Sequence, residues 1–308
     1  MTSTPFKSHS LFDRLTETWG RRAVIGMPMV FLLLVFLLPF LVVFKISLSE
    51  MDGVAFKELV AWSDGWVHFQ LHVDNYLSLA QDALYFQTYL SSLGFAALTT
   101  AICLLLAYPF AYFLARSPAD KRPALLMLVM LPFWTSFLLR VYAWKMLLAD
   151  AGVFNNLAMA YGLISEPVKM MNTPFSMVLG MVYTYLPFMI LPLYANLVKM
   201  DLRLLEAALD LGATPWQAFW RITVPLSRSG IVAGSMLVFI PCVGEFVIPE
   251  LLGGPQTLMI GRVLWDEFFS NNDWPMAATV AVVMVLLIIV PVALFSKSRA
   301  EGRAEGRV

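Results

Sequence analysis

Residues 206–225 read Glu-Ala-Ala-Leu-Asp-Leu-Gly-Ala-Thr-Pro-Trp-Gln-Ala-Phe-Trp-Arg-Ile-Thr-Val-Pro. The opening of this stretch reads as a short helix. Leu202, Leu205, Leu209 and Leu211 give it an apolar side, and Asp201 and Glu206 lie near its positive N-terminal end. Gly212 can end the helix in a left-handed conformation. Thr214-Pro215 then reads as a cap followed by Pro at the first helical position. A second short helix, 215 to about 222, carries Trp216, Phe219 and Trp220. Two short helices with large aromatics make a compact knob. Its apolar surface calls either for a protein partner or for a membrane surface on which the hairpin lies flat, and pattern alone allows both. The flanks decide the fold. On each side stands an apolar run, 175–197 and 230–252, long enough as a helix to cross a ~30 Å hydrocarbon core.

Working outward, apolar runs of similar length recur at 23–44, 89–115, 124–148 and 276–295. Of 308 residues, 59% are hydrophobic and 14% charged, against ~45–50% and ~25% in soluble globular chains. That composition excludes an ordinary water-soluble enzyme, and it also excludes a disordered chain. The balance of 21 Lys+Arg against 21 Asp+Glu gives no sequence-wide basic field, so no nucleic-acid partner is expected. Cys103 and Cys242 both lie in apolar runs and make no disulfide framework. His68 and His72 are four apart, but no third ligand stands at a fitting distance, so no metal site is expected. The first run follows Arg21 and Arg22 as a signal peptide would. It is longer than a usual signal core and is followed by no Ala-x-Ala cleavage site, so it reads as a retained span. Pro132, Pro187 and Pro192 inside later runs suggest kinked helices around a cavity.

Six spans put both ends on one side, and 15 of the 21 basic residues then fall on that side. The positive-inside rule makes it the cytoplasm. The expected fold is therefore an all-α integral membrane protein with six transmembrane helices and both termini cytoplasmic. A segment 1–22 precedes a transmembrane domain 23–296 with a long inner loop 198–229, and a tail 297–308 follows. The first outer loop, about 46–88, is long enough for a lid or docking surface.

Glu206-Ala207-Ala208, three residues, Gly212, nine residues, then Ile222-Thr223-Val224-Pro225 resembles the signature loop of binding-protein-dependent ABC importer permeases, with Val224 in place of the usual Leu. The likeness covers most of the chain. Pro132-Phe133-Trp134-Thr135-Ser136 with Arg140-Val141-Tyr142-Ala143-Trp144, and Gly244-Glu245-Phe246-Val247-Ile248-Pro249, are similar to stretches of polyamine permeases of the putrescine and spermidine importers. The resemblance implies a type I importer permease fold in the bacterial inner membrane. It implies a second, homologous permease as heterodimer partner, two cytoplasmic ATPase subunits that hold ATP and Mg, and a periplasmic binding protein. No cofactor is implied for this chain. It further implies that Glu206, Ala207, Ala208, Gly212, Ile222 and Pro225 form the loop that docks on an ATPase and transmits its closure.

For the substrate path the sharpest candidate is Glu245. It lies about 15 residues into its span, ~23 Å from the inner boundary at the helical rise. An ionisable group there faces a water-filled path or a partner charge. It could meet an ammonium substrate, with Trp134, Tyr142 and Phe246 offering ring faces; alternatively it pairs with Arg140 or Lys145. Thirteen acids against six bases on the outer side would attract a polycation, or would pair with bases on a binding protein. Gly230 and Gly234 favour close helix packing, against either this chain's own spans or the second permease. Three other readings remain to be weighed. A permease for a different small solute shares the same loop. A stand-alone secondary transporter or channel would show paired repeats and gives no reason for 206–225. An intramembrane enzyme lacks a His-Glu-x-x-His or Gly-x-Ser-x-Gly, and the chain has no phosphate-cradling Gly-x4-Gly-Lys-Ser/Thr, so no catalysis is expected of it.

Overall fold

The computed structural model describes residues 11–304 apart from 53–54, 57–59, 64–65 and 70–71, with side chains over 24–51 and 72–289. The expected outermost ends, 1–10 and 305–308, and the side chains of Trp62, Trp66 and His68 lie outside the described residues. Two compact units are present: one formed by the chain up to Tyr76 with Asp273–Val283, the other by Leu77–Asn272 with the chain from Met284 onward.

In the first unit α1 (Leu11–Ser47) contains the stretch Val24–Ser47, which is long and apolar enough to cross a membrane. Almost every described side chain on it is exposed, from Val24 and Met27 to Phe36 and Leu41. So apolar a surface is incompatible with water and suits lipid or another helix. Two small antiparallel ladders follow, β1 (Met51–Asp52) with β2 (Ala55–Phe56) and β3 (Val60–Ser63) with β4 (Trp66–Phe69). These short ladders, within 51–69, are the only strands among the described residues of an otherwise helical chain. The end of α1 is tied down by its own unit. Ser47 shares a 2.7 Å hydrogen bond with Tyr76 and accepts at its carbonyl from Thr279 at 3.2 Å. The imidazole of His72 lies 3.3 Å from the Glu50 carboxylate.

The second unit contains α2 (Asp74–Gln81) from Leu77, α3 (Ala83–Arg116), α4 (Arg122–Met130), α5 (Phe137–Leu148), α6 (Val153–Ala160), α7 (Pro174–Leu197), α8 (Arg203–Asp210), α9 (Pro215–Ala218), α10 (Val224–Leu226), α11 (Arg228–Val243), α12 (Val247–Leu252) and α13 (Ile260–Trp265). The helix α14 (Trp274–Ala304) gives its first turns to the first unit and the rest to the second. The core lies among α3, α7 and α11. Ala96, Cys103, Ala107 and Ala111 are fully buried along one side of α3 and leave room for Met177, Met181 and Met189 of α7, which are fully buried as well. Gly230 and Gly234 pack α11 onto α7. A Cβ at Gly230 would sit 2.8 Å from the Asn196 Cβ and 3.0 Å from the Pro192 carbonyl, and one at Gly234 would sit 2.7 Å from the Met189 sulfur. The small-residue pattern is thus used within this chain.

Two of the apolar runs are broken rather than merely kinked. The run 124–148 divides into α4 with a 3-10 turn, Leu131–Trp134, and then α5, which α6 extends; the arms 122–134 and 137–160 meet at 83°. Pro132 begins the turn without an N–H, and Thr135 leaves helical geometry with its hydroxyl on the Pro132 carbonyl at 2.8 Å. The run 230–252 divides into α11 and α12 at Gly244–Phe246. Among the described residues three helices alone can span a membrane, and two bent pairs qualify if each is one crossing: 122–134 with 137–160, and Pro215–Leu226 with Arg228–Val243, which meet at 64°.

Candidate functional site

The loop after α7 builds from local rules. Asp201 accepts from the Arg203 amide at 3.0 Å, and α8 carries Glu206, Ala207 and Ala208. Its end is a Schellman motif: the Gly212 amide donates to Leu209 at 2.9 Å and the Ala213 amide to Ala208 at 3.0 Å. Gly212 has φ +85° with open space where a Cβ would go, so conformation and not crowding demands glycine. A reciprocal capping box follows, with the Gln217 amide on the Thr214 hydroxyl at 3.3 Å and the Thr214 amide on the Gln217 side chain at 3.0 Å. The next turn, Phe219–Thr223, is a π-helix containing Ile222. Pro225 has no N–H for the Arg221 carbonyl, and the ladder lengthens to an i→i+5 bond from Val224 to Phe219.

The knob has two sides. Phe219 packs inward, edge-on to Tyr108 at 5.4 Å and Tyr112 at 6.1 Å on α3. Trp216 and Trp220 touch Phe219 and each other but stay exposed, as does Leu211. Glu206, Ala207, Gly212 and Pro225 are exposed, and Ala208 and Ile222 are half-buried. An exposed surface of aromatics, leucines and small residues is the kind that a partner covers.

The second cluster sits at the α11–α12 break. One carboxylate oxygen of half-buried Glu245 accepts from the amides of Val247 at 3.0 Å and Ile248 at 3.4 Å, capping α12. The other accepts from the Tyr185 hydroxyl, which reaches across from α7. Gly261 of α13 backs the break closely, since a Cβ there would collide with the Gly244 carbonyl and come within 2.8 Å of that of Glu245. Phe246 stacks on Trp265 at 4.5 Å and 11°. Glu245 makes no ion pair with Arg140 or Lys145. Arg140 lies over the rings of Phe133 at 4.9 Å and Phe137 at 5.9 Å, with its Nε and Nη1 buried and without hydrogen-bond partners. Phe133 meets Phe188 at 5.2 Å, and Phe188 meets Tyr185 at 6.3 Å. An aromatic string thus runs from Arg140 at one break to Glu245 at the other.

Of the four candidate path residues, the structure brings Glu245 and Phe246 together. Trp134, 71% exposed, and Tyr142, 48% exposed, stand on the outer surface of the other broken run. Tyr185 was missed by the sequence reading. One tyrosine within an apolar helix looks like any core aromatic, and only the facing helix gives it a carboxylate to hold. Several of the expected outer acids are already committed. Arg262 Nε lies 2.7 Å from Glu250 and 4.0 Å from Asp266, Tyr85 donates to Glu267 at 2.7 Å, and Asp82 and Asp273 accept from the Leu84 and Met276 amides.

Comparison with known proteins matches residues 122–295 to the family described as "Binding-protein-dependent transport system inner membrane component". The spermidine/putrescine transport system permease protein PotB of Haemophilus influenzae is 41% identical over 258 residues, 82% of this chain and 86% of that protein. PotB of Escherichia coli K12 is 41% identical over 263 residues, 84% of this chain and 92% of that protein. The inner membrane ABC transporter permease protein YdcU of Escherichia coli K12 is 36% identical over 211 residues, 65% and 67% of the two chains. Among solved structures, a bacterial ABC transporter that imports the acidic polysaccharide alginate superposes with a TM-score of 0.66 at 18% identity. The match covers 94% of this chain and 98% of that one, and the likeness is one of fold. The same transporter is known in complex with an alginate pentasaccharide-bound periplasmic protein. With the profile match covering more than half of the chain, and full-length relatives above 40% identity, the chain belongs to the inner-membrane components of binding-protein-dependent ABC transport systems.

Proposed function

We propose that this chain is one permease subunit of an ABC importer for a polyamine, putrescine or spermidine. The observation that carries the substrate class is the 41% identity, over more than four-fifths of the chain, to permeases named for spermidine and putrescine. The chemistry at the α11–α12 break agrees with it. A carboxylate within an apolar run supplies a counter-charge for an ammonium group. The neighbouring ring of Phe246 offers a cation–π face, while Trp134 and Tyr142, exposed on the other broken run, could do so only at a separate point of a path.

In this reading the chain crosses the membrane six times with both ends in the cytoplasm. The crossings are α1, α3, the bent run α4–α6, α7, the broken run α11–α12, and the apolar part of α14, Trp274–Ile289. The loop 198–229 faces a cytoplasmic ATPase. Two such ATPases hold the ATP and Mg; this chain holds neither and catalyses no reaction. A homologous second permease completes the path, and a periplasmic binding protein delivers substrate to the outer loops. Closure of the ATPases pulls on Glu206, Ala207, Ala208 and Gly212, Ile222 and Pro225 carry the pull toward α11, and the spans rock between inward and outward openings.

Uptake of labelled putrescine and spermidine, in cells with and without this chain and with its companion subunits expressed, tests the reading. Loss of ATP-dependent uptake on deletion is expected, and competition between the two amines ranks them. Unchanged uptake of both would return the substrate to another small solute.

A further inference from the structure

Beside the knob, between its root and the last turns of α3, lies an apolar cleft of about 390 Å³ lined by Tyr108, Pro109, Tyr112, Phe113, Arg116 and Phe219. One wall is fixed: Tyr108 hydrogen-bonds Ser227 at 2.8 Å and takes the edge of Phe219. The opposite wall, Phe113, is 62% exposed. The only charge in the lining is Arg116, at the end of an apolar helix. Its guanidinium carbon lies 5.1 Å from the centre of the Tyr112 ring, and its Nη2 is buried with no hydrogen-bond partner. Among the described residues no carboxylate pairs with it. Arg116 as a whole is half-buried, but a guanidinium nitrogen withdrawn from water without an acceptor is unfavourable, and an oxyanion relieves it through a charge-assisted hydrogen bond.

We infer that this cleft is a binding site for an anionic phospholipid of the inner membrane. One acyl chain lies along Pro109, Phe113 and Phe219, and the phosphate accepts from Arg116. Two features select a lipid over a soluble anion. The lining is aromatic and aliphatic apart from one cation, which a small anion would leave unused. The cation stands where a membrane-length helix ends, at headgroup level, and the segment that follows, Asp120-Lys121-Arg122, adds two bases against one acid and keeps the local potential positive. Because Phe219 belongs to the knob, a chain in the cleft braces the knob against α3. This inference needs the membrane setting but not the polyamine reading.

The test uses the assembled importer in nanodiscs of phosphatidylcholine with and without phosphatidylglycerol, analysed by native mass spectrometry through graded delipidation. The wild type is expected to retain one phosphatidylglycerol per copy of this chain after phosphatidylcholine is lost. Arg116→Gln is expected to lower that retention roughly tenfold, as removal of one charge-assisted hydrogen bond would. Arg116→Lys keeps the charge and restores most of it, which separates lost binding from lost folding. Inorganic phosphate at millimolar levels is expected not to compete. Equal retention of the two lipids, or equal retention by wild type and Arg116→Gln, overturns the site. Displacement by inorganic phosphate assigns Arg116 to a soluble anion and overturns the lipid. A cross-link from Phe113 to another subunit that excludes lipid overturns it likewise.

Discussion

Glu245 takes three donors on two oxygens, so its charge and its shape can be tested apart. Glu245→Gln keeps the acceptor for the Val247 and Ile248 amides and removes the charge. Membrane insertion is expected to be normal, and uptake of a di- or triamine to fall about tenfold or more, because an ammonium loses its ionic partner at membrane depth. Unchanged uptake would leave Glu245 as a helix cap only. Tyr185→Phe preserves the ring contact with Phe188 and deletes the hydroxyl. It is expected to raise the KM for uptake several-fold with little change in maximal rate, since a carboxylate freed on one side is positioned less well. Glu245 was legible in the sequence because a charge inside an apolar run is costly and conspicuous. Its partner was not, since hydrogen bonding between α7 and α11–α12 depends on packing that no spacing rule reports.

At the scale of elements, the 206–225 loop was read nearly to the residue. Gly212, Thr214-Pro215 and Gln217 are local signals whose meaning needs no tertiary contact. Gly212→Pro cannot reach the observed φ of +85°. The expected outcome is a chain that inserts normally and transports nothing, read by uptake beside membrane abundance; normal uptake would remove the coupling role. Glu206→Lys reverses a charge near the start of α8 and should have the same effect, checked in the same assay. The two breaks were only half legible. Pro132 announced a kink, but an 83° turn depends on whether neighbours satisfy the freed backbone groups. The pairing of β3 with β4 had a signal in the sequence alone, since Asp-Gly is a favoured two-residue hairpin dipeptide and stands between them. The loop after α6 hangs on one side chain, buried Asn155, whose amide donates to Ala149 and Val168 carbonyls and accepts from the Val168 amide at 3.0 Å. Asn155→Ala is expected to cost about 2–3 kcal/mol locally, seen as faster hydrogen exchange across 163–170.

Across the molecule, stability rests on how closely α3, α7 and α11 approach. Gly230→Val places carbon against the backbone of α7 at Pro192 and Leu193, which cannot yield as a side-chain tip can. A loss of about 2 kcal/mol is expected, measured as a lower melting temperature of the detergent-extracted complex. Composition made the membrane class plain, while the way Gly230 and Gly234 are spent, inside the chain rather than on a second subunit, required the fold. The other side of the same contact has a mechanical meaning. Met177, Met181 and Met189 are wholly enclosed along α7, in one core with the alanines and cysteine of α3, the Met181 sulfur near Thr99 of α3 and the Met189 sulfur against Gly234 of α11. Unbranched thioethers change rotamer cheaply, and the one hydrogen bond made here, from the Thr99 hydroxyl to the Met181 sulfur at 3.9 Å, is weak. A seam of β-branched residues would lock the register of two helices; this one lets them shear by part of a turn while staying dry and in contact. The element that holds the protein together can therefore also be the sliding bearing of its transport cycle.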